Sequence, residues 1–418
     1  MLILSILPFY SGRLTTISIL KEIPSSGKYI KSFVLPPSLS LSTSTLLQDV
    51  ALESLLSFFK HLIVSNTVDF SDLLSSLQSR CVNTMAKQSL FNLSKCIAVV
   101  SASTNEEGQE NVAKHLISTL EQNGPNTNDV LGIQLALLTL GELGQRVDLS
   151  RMQGVSENLT SICLKFFESS SEDVKQAASY ALGRSAVGGL SIFLPPILST
   201  LESEENKTRY LLLSALKELI VCHQSNGLNM SSSIPQILPH LLRHTTDKEE
   251  GVRSMVAECL GSLVCLEPET ILPDLGSQIS TENSSFTEDE AKEYALKSWT
   301  VVTAIKFSIS AKPYPKLLAK FLPIFLTLLL KNDQLNEEDG LSVRNASLLM
   351  VYSGVHHAPQ IVAGLMSQYI LPSLYEVSIV CLEIFQIMSY LTCIFRNYLS
   401  FLNLISKGKL IWDVSNTK

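Results

Sequence analysis

One pattern recurs along the chain and constrains its fold more than any other feature. An acidic turn is followed by Val-Lys or Val-Arg and then by small residues at helical spacing. The pattern is clearest in SSSEDVKQAASYALGRSAVG (169–188), KEEGVRSMVAECLGSLV (248–264) and EDGLSVRNASLLMV (338–351). From Val174, equivalent positions fall at Thr208, Val252, about Ala295 and Val343, so the successive spacings are 34, 44, 43 and 48 residues. A period of this length predicts a repeat architecture.

Each repeat is predicted to be a pair of helices. Apolar residues recur every three or four positions between about Leu46 and Tyr375, and no stretch alternates as a strand would. Leu-Pro pairs lie in or open apolar helical runs about 15 residues before several of the acidic turns; they end at Pro195, Pro239, Pro273, Pro323 and Pro372. We therefore predict an all-α, HEAT-repeat (armadillo-like) α-solenoid with about six to seven two-helix repeats.

The second helix of each repeat has a predicted cap and a predicted packing face. Asp173 is placed to cap the backbone N–H groups of the helix that it opens, with Gln176 completing a capping box. Val174 and Leu182 would fill the seam with the next helix. Small side chains would let that helix approach closely; they are Ala177, Ala178, Ala181, Gly183 and, in a later repeat, Ala257 and Gly261.

Three segments follow from these patterns. Residues 1–45 are a poorly assigned N-terminal segment that could hold a degenerate repeat, and 46–376 form the solenoid. The first ten residues, MLILSILPFY, are apolar but lack a basic start, so a signal peptide is disfavoured. Residues 377–418 form a divergent apolar tail without the repeat signature. A capping helix, a membrane anchor and translated non-coding sequence all remain open for this tail, and Glu383 disfavours the anchor.

Composition and motifs argue against several functional classes. Lys and Arg total 32 against 39 Asp and Glu, and no dense basic run occurs, so a nucleic-acid partner is not expected. The eight cysteines form no CxxC pair and are predicted to be reduced core thiols. No phosphate-binding loop or nucleophile motif is present. We expect no enzyme activity, no cofactor and no small-molecule substrate.

Histidine and cysteine pairs are the candidates for metal or redox sites. His240 and His244 are four residues apart, which places two imidazoles on one helical face, but no third zinc ligand can be identified. We interpret them as polar surface residues. His356 is expected at a helix end, and Cys259 and Cys265 are interpreted as small apolar core residues.

Cationic side chains on the second helices are the candidate partner contacts. In HEAT solenoids these helices generally line the concave face, where they can reach acidic groups of a partner. Alternatively, the cations pair with acidic turns of adjacent repeats, which is the common role of such charges. The candidates are Lys175, Arg184, Arg209, Lys217, Arg253 and Lys297.

Several segments in order resemble one known family. They include LLQDVALESLLSFF (46–59), LALLTLGELGQRVDLS (135–150), the 169–188 segment and EEGVRSMVAECLGSLVCLEPETILPDL (249–275). These segments closely resemble the cullin-associated and neddylation-dissociated proteins, over about 330 residues that match part of the family's C-terminal half. The similarity runs through QYILPSLYE and stops near Val377.

The resemblance implies a non-enzymatic scaffold in the cytoplasm and nucleus. Family members wrap around an unmodified cullin and exchange substrate-receptor modules on cullin-RING ubiquitin ligases. The expected partner is the N-terminal helical region of a cullin. The family's N-terminal repeats and its adaptor-competing β-hairpin have no counterpart here, so weak cullin binding is expected. The alternatives are a generic HEAT adaptor of the transport or phosphatase-scaffold type, and a membrane-tethered form.

Overall fold

The chain is helical throughout the part that the structure describes. The structure is a computed structural model, and it describes residues 26–82, 85–202, 208–280, 286–312, 314–330, 335–358, 361–362 and 365. No strand occurs in these ranges. Contacts divide the chain into two compact units, Met1–Asn229 and Met230–Lys418. The predicted boundaries after residues 45 and 376 stay predictions, since residues 1–25 and the tail 377–418 lie outside the described residues.

The first unit begins with a helical segment and continues as a series of longer helices. The initial segment comprises α1 (Ser26–Tyr29), a π-helical turn (Ile30–Val34) and α2 (Leu35–Leu41). The helices that follow are α3 (Asp49–Val64), α4 (Phe70–Gln78), α5 (Lys87–Ala102), α6 (Glu106–Asn123), α7 (Val130–Gly144), α8 (Val155–Phe166), α9 (Glu172–Ser185), α10 (Leu190–Glu202) and α11 (Arg209–Asn226).

The second unit repeats the alternation of helices and turns. Its described helices are α12 (Ile234–Arg243), α13 (Glu250–Leu266), α14 (Pro268–Ile279), α15 (Glu288–Ala311), α16 (Pro315–Leu330) and α17 (Glu337–His357).

The helices pair into hairpins that, within each unit, stack in two layers. From α4 onward, each even-numbered helix packs against the odd-numbered helix that follows it, which makes seven hairpins in the described residues. We name the even-numbered helices of these hairpins the A layer, and the odd-numbered helices, with α3, the B layer. Within each unit, successive B-layer helices also pack against one another. This arrangement confirms the predicted HEAT-repeat α-solenoid and its number of repeats.

The recurring valine and glycine positions have the predicted packing role. Val174, Val252 and Val343 are buried near the starts of their B-layer helices. A Cβ atom on Gly183 would lie 2.1 Å from the carbonyl oxygen of Ala215 in the neighbouring helix α11. The repeat signature thus marks the positions where backbones of stacked helices approach most closely, because no larger residue fits there.

The N-cap residue predicted for α9, Asp173, is wrong. The N-cap is Ser171, which has extended backbone angles and whose Oγ accepts a hydrogen bond from the N–H of Val174 at 3.4 Å. Asp173 already lies in the first helical turn, so its side chain is not at the cap position. A capping box does occur in α15, where Thr287 and Glu290 bond each other's backbone N–H groups.

The A-layer helices carry the Leu-Pro pairs. Pro195, Pro239, Pro273 and Pro323 all lie inside A-layer helices, as predicted. Because proline has no N–H, each one leaves a carbonyl four residues earlier without its helical donor. Pro372 lies outside the described residues.

Candidate partner-binding surface

A groove crosses the B layer of the first unit. It has a volume of about 340 Å³ and is lined by residues of α5, α7, α9 and α11. Gln134 and Leu138 of α7 lie between Lys87 and Phe91 of α5 on one side and residues of α9, including Tyr180, on the other. We call this feature the B-layer groove. It is a candidate binding surface because it joins apolar, aromatic and charged groups from four stacked repeats.

Two contacts connect helices that are not consecutive in the B layer. The Nζ of Lys87 lies 2.9 Å from Oδ1 of Asp173, and both side chains are largely exposed. The rings of Phe91 and Tyr180 meet edge to face, with centroids 4.9 Å apart. Since α5 contributes Lys87 and Phe91 and α9 contributes Asp173 and Tyr180, the two contacts join the same pair of helices at two points along their length.

Gln134 is a largely buried residue whose amide reaches the groove surface. Its residue is 8% exposed, and its side chain lines the groove beside Leu90 and Leu138. Within the described residues, its carboxamide makes no hydrogen bond to another protein group. The carboxamide atoms of Gln134 are not among the buried side-chain atoms that lack a partner, so water reaches them at the groove surface.

A charged cluster lies next to the groove, centred on the buried carboxylate of Glu142. Glu142 is 1% exposed and receives hydrogen bonds from Arg146 at 2.5 Å, from Arg184 at 3.2 Å and from the hydroxyl of Tyr180. Arg184 also donates to Glu218 through Nε at 3.1 Å, and its guanidinium lies 4.4 Å from the centre of the Tyr180 ring. We call these five residues the Glu142 cluster; it joins α7, α9 and α11.

The cluster changes the acidity of its members. Burial opposes ionisation of Glu142, but the charges of Arg146 and Arg184 and the hydrogen bond from Tyr180 outweigh it and lower the pKa of the carboxyl. The pKa of the Tyr180 hydroxyl is raised, chiefly by burial and then by the nearby Glu142 charge. Glu142 therefore stays ionised and Tyr180 stays a hydrogen-bond donor at neutral pH.

The predicted cations of the first unit have different environments. Arg184 is held inside the Glu142 cluster, where its side chain is 19% exposed. Lys175 pairs with Glu172 of its own helix at 2.5 Å. Arg209 and Lys217 lie half-buried on α11. None of the four lines the B-layer groove, so their role in partner binding stays a prediction.

The second unit holds the other two predicted cations. Arg253 donates to the backbone carbonyls of Asp247 and Lys248 at 2.7 and 3.1 Å, and its guanidinium lies 5.3 Å from the centre of the Trp299 ring. The Nζ of Lys297 lies 3.6 Å from Oε1 of Glu293 in its own helix. Their contact with a partner also stays a prediction.

The histidine and cysteine pairs lie in structural surroundings. His244 is buried, with its Nδ1 3.8 Å from a carboxylate oxygen of Asp247, so its interpretation as a surface residue is wrong. It lies just after the end of α12, in the short turn His244–Thr246. His356 packs on the ring of Tyr352 near the end of α17. Cys259 and Cys265 are both buried. In the ranges that the structure describes, no three His, Cys, Asp or Glu side chains come together as a metal site. Every helix in those ranges is too short or too polar to cross a membrane.

Sequence reasoning singled out Arg184 but missed the residues around it. Glu142 interrupts the apolar run LALLTLGELG with a charge, and Arg146 follows four residues later. A carboxylate in an otherwise buried helical run is a signal for an internal ion pair. Gln134 opens the same run, but a lone glutamine carries no comparable signal.

A family model of helical repeats agrees with this architecture. The HEAT-repeat family model matches residues 237–264, which cover most of the α12–α13 hairpin. A crystal structure of Kap121p resembles 89% of the chain at 17% sequence identity, with a TM-score of 0.43, over 40% of that structure's chain. The fold defines the chain as a HEAT-repeat protein.

Curated relatives identify the family within that class. The chain is 34% identical over 364 residues to the cullin-associated NEDD8-dissociated protein 1 of Arabidopsis thaliana, which covers 85% of this chain and 28% of the relative. It is 32% identical over 177 residues to the C-terminal part of the protein of that name from Emericella nidulans, covering 42% of this chain and 15% of that relative. The resemblance predicted from the sequence is confirmed: the chain belongs with the cullin-associated NEDD8-dissociated proteins. It spans about a quarter of the length of the curated relatives it matches.

Proposed function

We propose that the chain is a cullin-binding HEAT-repeat scaffold, a partial substrate-receptor exchange factor that regulates assembly of cullin-RING ubiquitin ligases. The observation that carries this proposal is the similarity to cullin-associated NEDD8-dissociated proteins over 85% of the chain. In this proposal the B layer binds the N-terminal helical region of a cullin, without a catalytic step and without nucleic acid, in the cytoplasm and nucleus.

The extent of the chain limits the activity that we expect. It spans 28% of the Arabidopsis relative, so it offers a fraction of the repeats that a full-length member could use. Fewer stacked repeats bury less partner surface. We therefore expect weaker cullin binding than a full-length member has, and little displacement of a bound receptor module.

A pull-down with purified proteins tests the proposal. The chain is incubated with unmodified cullin and with NEDD8-conjugated cullin, each with and without its receptor module. Retention of only the unmodified, receptor-free cullin is the expected result. If the chain retained none of the cullin forms, the proposal would be overturned and a generic HEAT-repeat adaptor would be favoured.

A matched pair of charge reversals tests which layer contacts the cullin. Lys175→Glu changes a B-layer lysine that pairs with Glu172 of its own helix at 2.5 Å. Lys114→Glu changes an A-layer lysine that pairs with Glu110 of its own helix at 2.7 Å. Both variants lose one intrahelical pair and the same amount of positive charge. If the B layer binds the cullin, Lys175→Glu weakens retention of the cullin and Lys114→Glu does not. Equal effects of the two variants would contradict the proposal that the cullin binds to the B layer.

A further inference from the structure

Two contacts bridge the B-layer groove between helices that are not neighbours in the stack. Lys87 and Phe91 of α5 meet Asp173 and Tyr180 of α9, and α7 lies between the two helices. Stacked helices are about 8–10 Å apart, so α5 and α9 would be up to about 20 Å apart if the three axes shared a plane. Side chains converge on the inner side of a bent row of helices and diverge on its outer side. The two contacts therefore indicate that the B layer is the inner side of the bend between α5 and α9.

The helices α7 and α9 pack most closely near their C-terminal ends. A Cβ atom on Gly144 would lie 2.5 Å from the Cα of Ser185, and one on Gly141 would lie 3.0 Å from the Cα of Ala181. Toward the N-terminal ends, the groove of about 340 Å³ separates the two sides, with Gln134 of α7 at its surface. The C-terminal ends can therefore act as a pivot, because the backbones touch there, whereas the N-terminal ends have room to move.

The α9 side of the bridge is fixed more firmly than the α5 side. The hydroxyl of Tyr180 donates to the buried carboxylate of Glu142, and the Arg184 guanidinium packs on the Tyr180 ring. From α5, in contrast, the Lys87–Asp173 pair is the only side-chain hydrogen bond or ion pair to α7 or α9 within the residues that the structure describes. Motion between the two sides is therefore expected to carry α5 away from α9.

Both bridging contacts are of a kind that opens at small cost. The side chains of Lys87 and Asp173 are 73% and 60% exposed, and exposed ion pairs contribute little to stability. The edge-to-face pair of Phe91 and Tyr180 adds a modest amount. The bridge is thus weak compared with the backbone packing at the pivot, so an open form can be populated without unfolding.

We infer that Lys87, Phe91, Asp173 and Tyr180 form a clasp that holds the B layer of the first unit in a bent form and opens by motion of α5 relative to α9. This inference goes beyond the proposed function, because it concerns the curvature of the unit and holds for any partner. Since the clasp is closed partly by charge, salt or a charged partner group that competes for Lys87 or Asp173 shifts the unit toward its open form.

Distances between electron spins in the full chain test the clasp. Spin labels are attached to an encoded azide-bearing residue in place of Glu53 on α3 and Tyr210 on α11, two exposed positions on B-layer helices that flank the clasp. In Lys87→Ala/Phe91→Ala we expect the ratio of long-distance to short-distance molecules to rise about tenfold, as loss of one exposed ion pair and one aromatic pair predicts.

The matched control is Lys114→Ala/Phe33→Ala. Lys114 pairs with Glu110 of its own helix at 2.7 Å, and the ring of Phe33 packs on that of Tyr29 within the initial helical segment, with centroids 5.2 Å apart. The control therefore also loses one ion pair and one aromatic pair, but neither joins two B-layer helices. Its distance distribution should equal that of the wild type.

Two further measurements test the charged half of the clasp. Raising NaCl from 0.05 to 0.5 M should increase the long-distance fraction of the wild type, because it screens an exposed ion pair, and should leave Lys87→Ala/Phe91→Ala unchanged. Lys87→Glu should open the clasp, and Lys87→Glu/Asp173→Lys should restore the wild-type distribution. The inference is overturned if the clasp variant matches the control, or if the exchanged charges leave the long-distance form of Lys87→Glu in place. The salt series on the wild-type chain needs no variant, and an unchanged distribution across it would also overturn the inference.

Discussion

Replacing Glu142 by glutamine removes the negative charge at the centre of the Glu142 cluster and keeps the side chain's shape. In the wild type this carboxylate is 1% exposed and bonds Arg146, Arg184 and Tyr180. The glutamine amide can accept from Tyr180, but it brings two N–H donors next to two guanidinium groups that have no lone pair to offer. The variant is therefore expected to leave cationic charge poorly compensated.

The size of the effect follows from how exposed the two arginines are. Removing one partner of a fully buried ion pair costs about 3–5 kcal/mol. Here the arginine side chains are 27% and 19% exposed, and Arg184 keeps its bond to Glu218. Water and Glu218 thus compensate part of the loss, and we expect Glu142→Gln to lower the local free energy of unfolding by about 2–3 kcal/mol.

Hydrogen exchange read by mass spectrometry on peptides of α7 and α9 measures this local free energy directly. The control is Glu110→Gln in α6, whose partner Lys114 is 51% exposed; we expect it to change stability by less than about 1 kcal/mol. A Glu142→Gln effect no larger than that of the control would refute the view that this cluster holds three B-layer helices together.

The pH dependence of the same quantity has a definite sign. The folded chain lowers the pKa of Glu142, so its contribution is complete above the unfolded pKa of about 4.3 and is lost as the pH falls through the lowered folded value. The difference in stability between wild type and Glu142→Gln should therefore be constant from pH 7 to about 5 and shrink toward zero in more acidic solution. A difference that stays constant down to pH 2 would contradict the ionised state of Glu142.

Three further variants or reactions test other parts of the fold. Gly183→Ala should cost about 1–3 kcal/mol because its Cβ would lie 2.1 Å from a backbone oxygen, whereas Gly276→Ala, whose Cβ would meet only side-chain methyls at 3.9 Å, should be neutral or slightly stabilising in thermal unfolding. Ser171→Ala should cost about 1 kcal/mol and speed hydrogen exchange in the first turn of α9. Iodoacetamide should alkylate the half-buried Cys81 well before Cys96, which is fully buried and whose pKa burial raises to about 12; peptide mass spectrometry gives the order.

The parts of the fold that are local in sequence could be predicted, since one period and one helical face determine them. Val174, Ala178 and Ala181 belong to a single helix, and their spacing alone shows which face must be thin and apolar. The cap of α9 shows the limit even of local reasoning. Ser171 and Asp173 are both good N-cap residues, and the choice depends on which of them has extended backbone angles, which the neighbouring turn determines.

The Glu142 cluster and the groove could not be predicted, because both depend on the register between stacked helices. Arg184 reaches Glu142 and Glu218, which lie 42 residues before it and 34 after it. A shift of one residue in the packing of α9 on α7 would turn Tyr180 and Arg184 away from Glu142. The sequence contains the charged residues but not their juxtaposition.

The predicted cations differ in how many internal contacts each would have to give up in order to bind an acidic group of a partner. Arg184 would have to leave Glu142 and Glu218, exposing a buried carboxylate, so a partner's acidic group would have to compensate that loss before any gain in binding appeared. Lys175 and Lys297 give up only a pair with a mostly exposed carboxylate on their own helix, which contributes little. Charge reversal at Lys175 or Lys297 therefore reports on partner binding, whereas charge reversal at Arg184 changes the stability of the B layer as well. A loss of cullin binding in an Arg184 variant is evidence that Arg184 contacts the cullin only if amide hydrogen exchange in α7 and α9 remains as slow as in the wild type.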